Sequence, residues 1–167
     1  FKDLGADEVV SGGQTMNPST ESILAGVDKI PAETVFILPN NGNIIMAAQQ
    51  CSALTEKHVV VIPTKTVPQG ITAMMNVDFE SPDPESITEA MTQSLSSVTT
   101  AQITYAARDS EFDGFHIKEG DYLALQEGKL FGTDTSIEAL LAKLAAEAVS
   151  RSAEFVSLYF GEDVAEE

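Results

Sequence analysis

Cysteine and basic residues are scarce in this sequence, and each shortage excludes a class of protein or site. Cys51 is the only cysteine, so an internal disulfide and a cysteine-based zinc site are both excluded. The 167 residues contain 26 Asp and Glu against 9 Lys and Arg, which gives a net charge of −17. Nucleic acids and anionic membrane surfaces are bound through basic patches. The composition therefore argues against nucleic acid as a partner and fits a cytoplasmic domain, or one with a basic partner.

Signals for membrane insertion, nucleotide binding and catalysis are also missing. No stretch reaches the roughly 18 apolar residues of a membrane-spanning helix, so no membrane insertion is expected. Neither the G-x-G-x-x-G nor the G-x-x-x-x-G-K-[ST] pattern of nucleotide-binding loops occurs. His58 and His116 lie far apart, and no nucleophile–base arrangement or metal-binding loop emerges. From its residues alone the chain is predicted to be non-catalytic, with no catalytic residue, metal or cofactor of its own.

The first half of the chain repeats a strand–loop–helix pattern. Apolar runs at residues 34–38 and 58–62 are typical of strands covered on both faces, and residues 7–10 are typical of a shorter strand. A polar loop and then a helical pattern follow each of them, with helices predicted over residues 18–27, 43–54 and 70–75. Three such units predict a parallel sheet with helices on both faces. Cys51, on the apolar side of the second helix, is expected to be an inert buried thiol.

The second half has a different pattern, and an acidic, proline-containing connector at residues 76–84 precedes it. We place the subdomain boundary there, which divides the chain into residues 1–80 and 81–167. A helix at 84–95 is followed by strand patterns at 99–107, 115–117, 122–126 and 129–131, with Glu127-Gly128 as a two-residue hairpin turn. A helix at 137–148, capped by Thr135 or Ser136, and a final buried strand at 155–160 complete it. The predicted fold class is α/β, with a parallel half and an antiparallel second half.

Three polar loops follow the predicted parallel strands, at residues 11–20, 39–43 and 63–70. Because ligands of open α/β sheets bind beyond the carboxyl ends of the strands, we expect these loops to gather at one edge as a binding surface. Asn17 is a candidate helix cap with Pro18 at the first helical position, and Asn43 is a candidate cap for the second helix. The candidate ligand- or partner-binding residues are Gly12, Gly13, Gln14, Thr15, Asn17, Ser19, Asn40, Asn41, Asn43, Thr64, Lys65, Thr66, Gln69 and Arg108.

The same residues also fit a purely structural role, as tight turns and helix caps. Lys65 is the only basic residue in the three loops. It can pair with a carboxylate, a phosphate or an acidic residue of a partner, or it can be a solvated lysine. Arg108 can form a local ion pair with Asp109 or face a partner. Both interpretations stay open on the sequence chemistry alone.

The three loops and their flanking strands resemble a known family. The stretches are SGGQTMNPS at 11–19, ILPNNGNIIMAA at 37–48 and VIPTKTVPQG at 61–70. In this order they resemble the C-terminal region of the bacterial fatty acid kinase catalytic subunit. YAARD at 105–109, IKEGD at 117–121 and YFGED at 159–163 fit the same family. The resemblance covers nearly the whole chain.

This resemblance implies a DegV-like fold and a set of partners. The full-length protein would use ATP to phosphorylate the carboxylate of a fatty acid, a reaction that serves phospholipid metabolism. ATP and magnesium would bind a DhaL-like, dihydroxyacetone-kinase-type domain outside this sequence. The C-terminal region would work beside that kinase domain and dock a DegV-type fatty-acid-binding protein. Family members usually continue past Gly161 into another helix and strand, so the second half is expected to be truncated.

Three hypotheses about function follow. The first is a non-catalytic accessory domain that docks the lipid-loaded partner through the three loops, with Lys65 at the centre. The second is a module that itself holds a fatty acid or a small anion, with Gln14, Thr15, Ser19 and Thr64 receiving the carboxylate. The third, a stand-alone phosphotransferase, is the least favoured because the sequence shows no phosphate loop.

Overall fold

The computed structural model describes residues 1–12, 17–112 and 114–161. They form two compact units, one spanning Phe1–Thr100 and the other starting at Ala101. The sequence places the boundary at residue 80, and the helix that follows this point, at residues 84–94, packs within the first unit.

In the described residues, the first unit contains a parallel sheet of two strands and four α-helices. The strands are β1 (Thr34–Ile37) and β2 (His58–Val61), with Thr34 opposite His58 and Ile37 opposite Val61. The helices are α1 (Thr20–Lys29), α2 (Ile45–Gln50), α3 (Val67–Met75) and α4 (Pro84–Ser94). Short 3-10 turns lie at Lys2–Leu4, Cys51–Ala53 and Leu95–Ser97.

Helices cover both faces of this sheet. Successive side chains of a strand point to opposite faces, so neighbouring strand residues pack against different helices. On one face Ile37 and Val61 pack with Ile23 of α1, with Ala48 of α2 and with Cys51. The side chains packed on the other face include Phe36, Leu38, Val60, Ile62, Ala73, Met74 and Met91. The predicted arrangement of parallel strands between two helical layers is confirmed.

The helix caps predicted for α1 and α2 were wrong. Ser19 caps α1, because its Oγ accepts the Ser22 N–H at 3.2 Å. The helix begins at Thr20, so Asn17 and Pro18 precede it. No side chain caps α2, and the Asn43 N–H instead donates to Asn41 Oδ1 at 2.9 Å. An Asx turn therefore occupies the position where the sequence suggests a cap.

Residues 7–10 do not form the predicted strand. A strand needs a hydrogen-bonded neighbour, and among the described residues β1 pairs only with β2. Residues 7–10 and β1 both line one cavity, so their backbones do not pair across it.

The described part of the second unit is antiparallel. Its strands are β3 (Ala101–Tyr105), β4 (Ser110–Phe112), β5 (Phe115–Ile117), β6 (Tyr122–Gln126) and β7 (Lys129–Asp134). One sheet has the order β3-β6-β7, and β4 pairs with β5 in another. Glu127 and Gly128 have φ of 50° and 77°, as a type I′ hairpin turn requires at both central positions. The predicted antiparallel half and its hairpin turn are confirmed.

The helix α5 (Ile137–Ser150) follows the three-stranded sheet. Ser136 caps it, as predicted, by accepting the Ala139 N–H on its Oγ at 3.2 Å. A 2.6 Å hydrogen bond from the Ser136 hydroxyl lowers the pKa of Glu138 in the first turn. Leu140 on its inner face is completely buried.

The final buried strand predicted at residues 155–160 is absent. All six side chains are exposed, and Phe155 is 89% exposed. The apolar run satisfies the local pattern of a strand, but no neighbouring strand among the described residues pairs with it.

Candidate functional site

The described parts of the three polar loops meet at one place, which we call the loop edge. It consists of residues 11–12 and 17–20 of the first loop, 39–43 of the second and 63–70 of the third. The second loop follows β1 and the third follows β2. Because β1 and β2 are parallel, their loops leave the sheet at the same end, as the sequence predicts.

A partly buried hydrogen bond joins the second loop to the third. The backbone N–H of Asn40 donates to Thr64 Oγ1 at 2.9 Å, and Thr64 is completely buried. The hydroxyl of Thr64 therefore fixes the path of the second loop. A hydrogen bond on the surface also joins the first two loops, where Asn41 Nδ2 donates to Asn17 Oδ1 at 3.3 Å.

Asn40 has two energetically unfavourable features. Its φ of 56° lies in the left-handed region, which Asn tolerates better than most residues but which still costs free energy. Its Oδ1 is buried and accepts no hydrogen bond. A buried oxygen without a donor costs roughly 1–3 kcal/mol. Unrelieved strain and unmet hydrogen bonds concentrate at functional sites, so Asn40 is a functional candidate on physical grounds.

Gly70 of α3 admits the Asn40 side chain. A Cβ built at Gly70 would lie 2.0 Å from Asn40 Oδ1 and 2.7 Å from its Cγ. Only a residue without a side chain allows this close approach. The second loop is therefore seated on the first turns of α3.

The start of α3 is held by the third loop itself. Thr66 Oγ1 accepts the Gln69 N–H at 3.3 Å and lies 2.8 Å from Thr100 Oγ1. Gln69 Oε1 accepts the Lys65 N–H at 2.8 Å. Thr66 and Gln69 thus act as internal supports of the loop edge.

Lys65 presents the positive charge of the loop edge. Its side chain is exposed, while its backbone is fixed by Gln69. A cation on a rigid loop of a chain with net charge −17 forms a local positive point in a negative field.

The remaining candidate residues fall into three groups. Gly12 lines the cavity of the first unit, and the Ser19 hydroxyl is engaged in capping α1. Gly13, Gln14 and Thr15 lie outside the described residues. Arg108 is exposed in the second unit.

The first unit also contains a cavity of about 540 Å³. Ile23 and Val27 of α1 line it on one side, and Met74 and Met91 of α3 and α4 on another. Asn17, Asn40 and Asn41 of the loop edge also line it. Its size falls within the range of small-molecule pockets.

Cys51 is fully buried, and burial raises the pKa of its thiol, with a smaller contribution from Asp28. A raised pKa keeps the sulfur in its unreactive thiol form. We expect iodoacetamide at pH 8 to modify Cys51 at least about 100-fold more slowly in the native chain than in urea. Mass spectrometry of this single cysteine measures both rates, and similar rates would show that the thiol is accessible.

Across residues 1–12, 17–112 and 114–161, no group of three His, Cys, Asp or Glu side chains is placed to hold a metal ion. Within the same residues, no helix combines the length and the apolar character needed to cross a membrane.

Sequence patterns did not single out Asn40 over its neighbours, and they did not include Gly70 among the candidates. Neither the left-handed backbone of Asn40 nor its buried oxygen has a signature in a run of polar loop residues. The one available signal is the glycine at the start of the predicted helix at 70–75, because a glycine in a helix can mark the close approach of another part of the chain.

The fold and the loop edge describe an α/β domain with a polar surface at the strand ends. Over residues 1–167 the chain matches the FakA-like C-terminal family of fatty acid kinase subunits, and it belongs to that family. It is 43% identical over 169 residues to the Bacillus subtilis (strain 168) protein YloV, covering 100% of this chain and 30% of YloV.

Staphylococcal proteins are similar to the chain as well. An uncharacterized protein of Staphylococcus epidermidis (strain ATCC 12228) is 40% identical over 167 residues, which is 98% of this chain and 29% of that protein. An uncharacterized protein of Staphylococcus aureus (strain USA300) is 36% identical over 163 residues, 98% of this chain and 30% of that protein. The chain therefore spans about 30% of the length of these relatives.

Proposed function

We propose that this domain is the non-catalytic C-terminal part of a cytoplasmic fatty acid kinase. It docks a DegV-type fatty-acid-binding protein, so that the bound fatty acid can be phosphorylated by a separate DhaL-like kinase domain that holds ATP and magnesium. Membership of the FakA-like C-terminal family supports this proposal. So does the length of the relatives, which leaves ample room for a kinase domain. We also propose that the loop edge is the docking surface and that the chain has a DegV-like fold.

The docking role is inferred mainly from the conformation and surroundings of Asn40 in the loop edge. Three loops are fixed to one another by Thr64, Asn41 and Gly70. This rigid arrangement keeps Asn40 in a strained backbone with an unsatisfied oxygen. A residue that lowers the stability of the fold in this way fits a role in recognition better than a role in folding.

Lys65 supplies the electrostatic part of the docking. A partner with an acidic patch is repelled by most of a chain whose net charge is −17. Lys65 offers such a patch one attractive point, and charge complementarity of this kind sets orientation and association rate.

Reversing the charge of Lys65 is expected to weaken partner binding. In the full-length protein, Lys65→Glu should raise the Kd for the lipid-loaded DegV-type protein by about tenfold or more, because it places a negative charge against an acidic partner surface. Isothermal titration calorimetry measures the Kd, and thermal unfolding checks that the variant is folded.

The matched control is Lys129→Glu, which makes the same charge change at an exposed lysine of the second unit. It should change the Kd by less than about twofold, as expected for a charge outside the contact. Equal weakening by both variants would attribute the effect to net charge and remove Lys65 from the docking surface.

The cavity favours a second candidate function, a domain that binds a fatty acid itself. Its largely apolar lining, which also includes the polar residues Asn17 and Asn41, suits an acyl chain with a carboxylate. Two of the carboxylate receivers proposed from sequence are occupied, since Ser19 caps α1 and Thr64 binds the Asn40 N–H. Mass spectrometry of organic extracts tests this candidate. One fatty acid per chain would support it, and its absence after incubation with oleate would exclude it.

A further inference from the structure

The cavity of the first unit has the form of a vacant strand position, which we call the strand slot. Its lining includes the consecutive residues 5–10 and the consecutive residues 34–38, and no strand pairing joins these two described segments. Successive side chains of a strand point to opposite faces. A cavity that touches every residue from 34 to 38 therefore runs along the edge of β1 and not along one face.

On the side away from β2, β1 has no paired strand among the described residues. The carbonyls of Glu33 and Ile37 accept the N–H groups of His58 and Ile62 at 2.8 and 3.0 Å. Because N–H and C=O groups of alternate residues point to opposite sides of a strand, those of Phe36 and Leu38 point away from β2. Backbone N–H and C=O groups inside a covered sheet are almost always hydrogen-bonded, so a neighbouring strand is expected at this edge of β1.

The side chains that line the strand slot come from helices on both faces of the sheet. Ile23 and Val27 of α1 line it, and so do Met74, Ile87 and Met91 from α3 and α4. A strand with helices over both faces is a continuous apolar run. An acyl chain matches these walls but cannot satisfy the N–H and C=O groups of Phe36 and Leu38, so a polypeptide strand suits the slot better.

The far side of the strand slot is held in place by α1. A Cβ at Gly26 would lie 2.7 Å from Val10 Cγ2, so the absence of a side chain at Gly26 lets Val10 pack directly on the helix. Lys29 Nζ also lies 3.3 Å from Glu8 Oε1. Residues 7–10 are thus fixed opposite β1, with the slot between them.

We propose that the strand slot receives an extended, apolar segment of the full-length polypeptide from outside these 167 residues. This segment pairs with β1 on one side and with residues 7–10 on the other, which extends the sheet. Phe1 lines the slot, so a segment that leads into Phe1 enters it without a long connection. Relatives are about three times the length of this chain, which provides such a segment. The inference holds whether or not the loop edge docks a partner.

Backbone hydrogen exchange in the full-length protein tests the pairing. Val35 and Ile37 face β2 by the same alternation and serve as internal references. With the slot filled, the Phe36 and Leu38 amides should exchange within about tenfold of these references, since all four lie in one paired strand. Exchange of Phe36 and Leu38 at rates typical of an open edge, beside protected Val35 and Ile37, would overturn the proposal.

A cross-link identifies the occupant. Val9 lines the slot and is half-exposed, so Val9→p-benzoylphenylalanine in the full-length protein places a photoreactive group there. The expected adduct is a peptide from outside the 167 residues. An adduct on residues 155–160, from the same or a second copy, would overturn the proposal, as would a fatty acid adduct. An equivalent photoreactive group at exposed Val149 of α5 should not give the same peptide.

Discussion

Ile62→Ala is expected to lower the free energy of unfolding of the first unit by about 2–5 kcal/mol, the usual cost of removing a large buried aliphatic side chain. Ile62 is completely buried and packs with Ala73 and Met74 of α3 and Met91 of α4. It lies two residues before Thr64 of the loop edge. Urea unfolding followed by circular dichroism measures the change.

Ile62→Val is the matched control, because it removes one methylene group and should cost about 0.5–1.5 kcal/mol. Both variants keep the backbone bonds of Ile62 to Ile37 and Thr64. A loss below about 1 kcal/mol for Ile62→Ala would show that this residue is not part of a tightly packed core.

Gly70→Ala is expected to destabilise the protein even though it improves helix propensity. Alanine in a helix interior normally gains about 0.5–1 kcal/mol over glycine. Here the new Cβ would lie 2.0 Å from Asn40 Oδ1, and overpacking of this kind costs about 1–3 kcal/mol. All three of the nearest atoms belong to the Asn40 amide group, so the whole group must leave this position while the Asn40 N–H stays bonded to Thr64. We expect this clash to outweigh the gain in helix propensity, which gives a net loss of stability, displaces the second loop and weakens partner binding.

Asn40→Gly separates the clash with the Asn40 side chain from the gain in helix propensity at Gly70. It removes the clashing side chain, the buried oxygen and the strain of a left-handed backbone, so Asn40→Gly combined with Gly70→Ala should be at least as stable as the wild type. Partner binding should stay weak in the double variant, because the amide of Asn40 is gone. Calorimetry of the four proteins gives both quantities, and a double variant less stable than Gly70→Ala alone would refute the contact.

The elements that depend on local pattern were predictable. The apolar runs of β1 and β2, the hairpin turn at Glu127-Gly128 and the cap of α5 at Ser136 all carry their own signals. The gathering of the second and third loops followed from the parallel order of the strands. These features require only a residue and its near neighbours in the chain.

The elements that depend on distant partners were not predictable. Residues 7–10 and 155–160 have strand-like composition, but a strand exists only where another strand pairs with it, and neither finds one among the described residues. Ser19 and Asn17 are both good cap residues, and the local sequence does not decide between them. The contact of Asn40 with Gly70 joins two loops across the fold and has no local signature.

The central claim is that the loop edge docks the fatty-acid-binding protein, and hydrogen exchange of the full-length protein with and without its lipid-loaded DegV-type partner tests it most directly. The account predicts that amides in residues 39–43 and 63–70 become protected on binding, at least about tenfold, as expected for a surface closed by a partner. In the same measurement, amides of α5 should not change. Protection confined to other segments, with 39–43 and 63–70 exchanging as in the free protein, would contradict it.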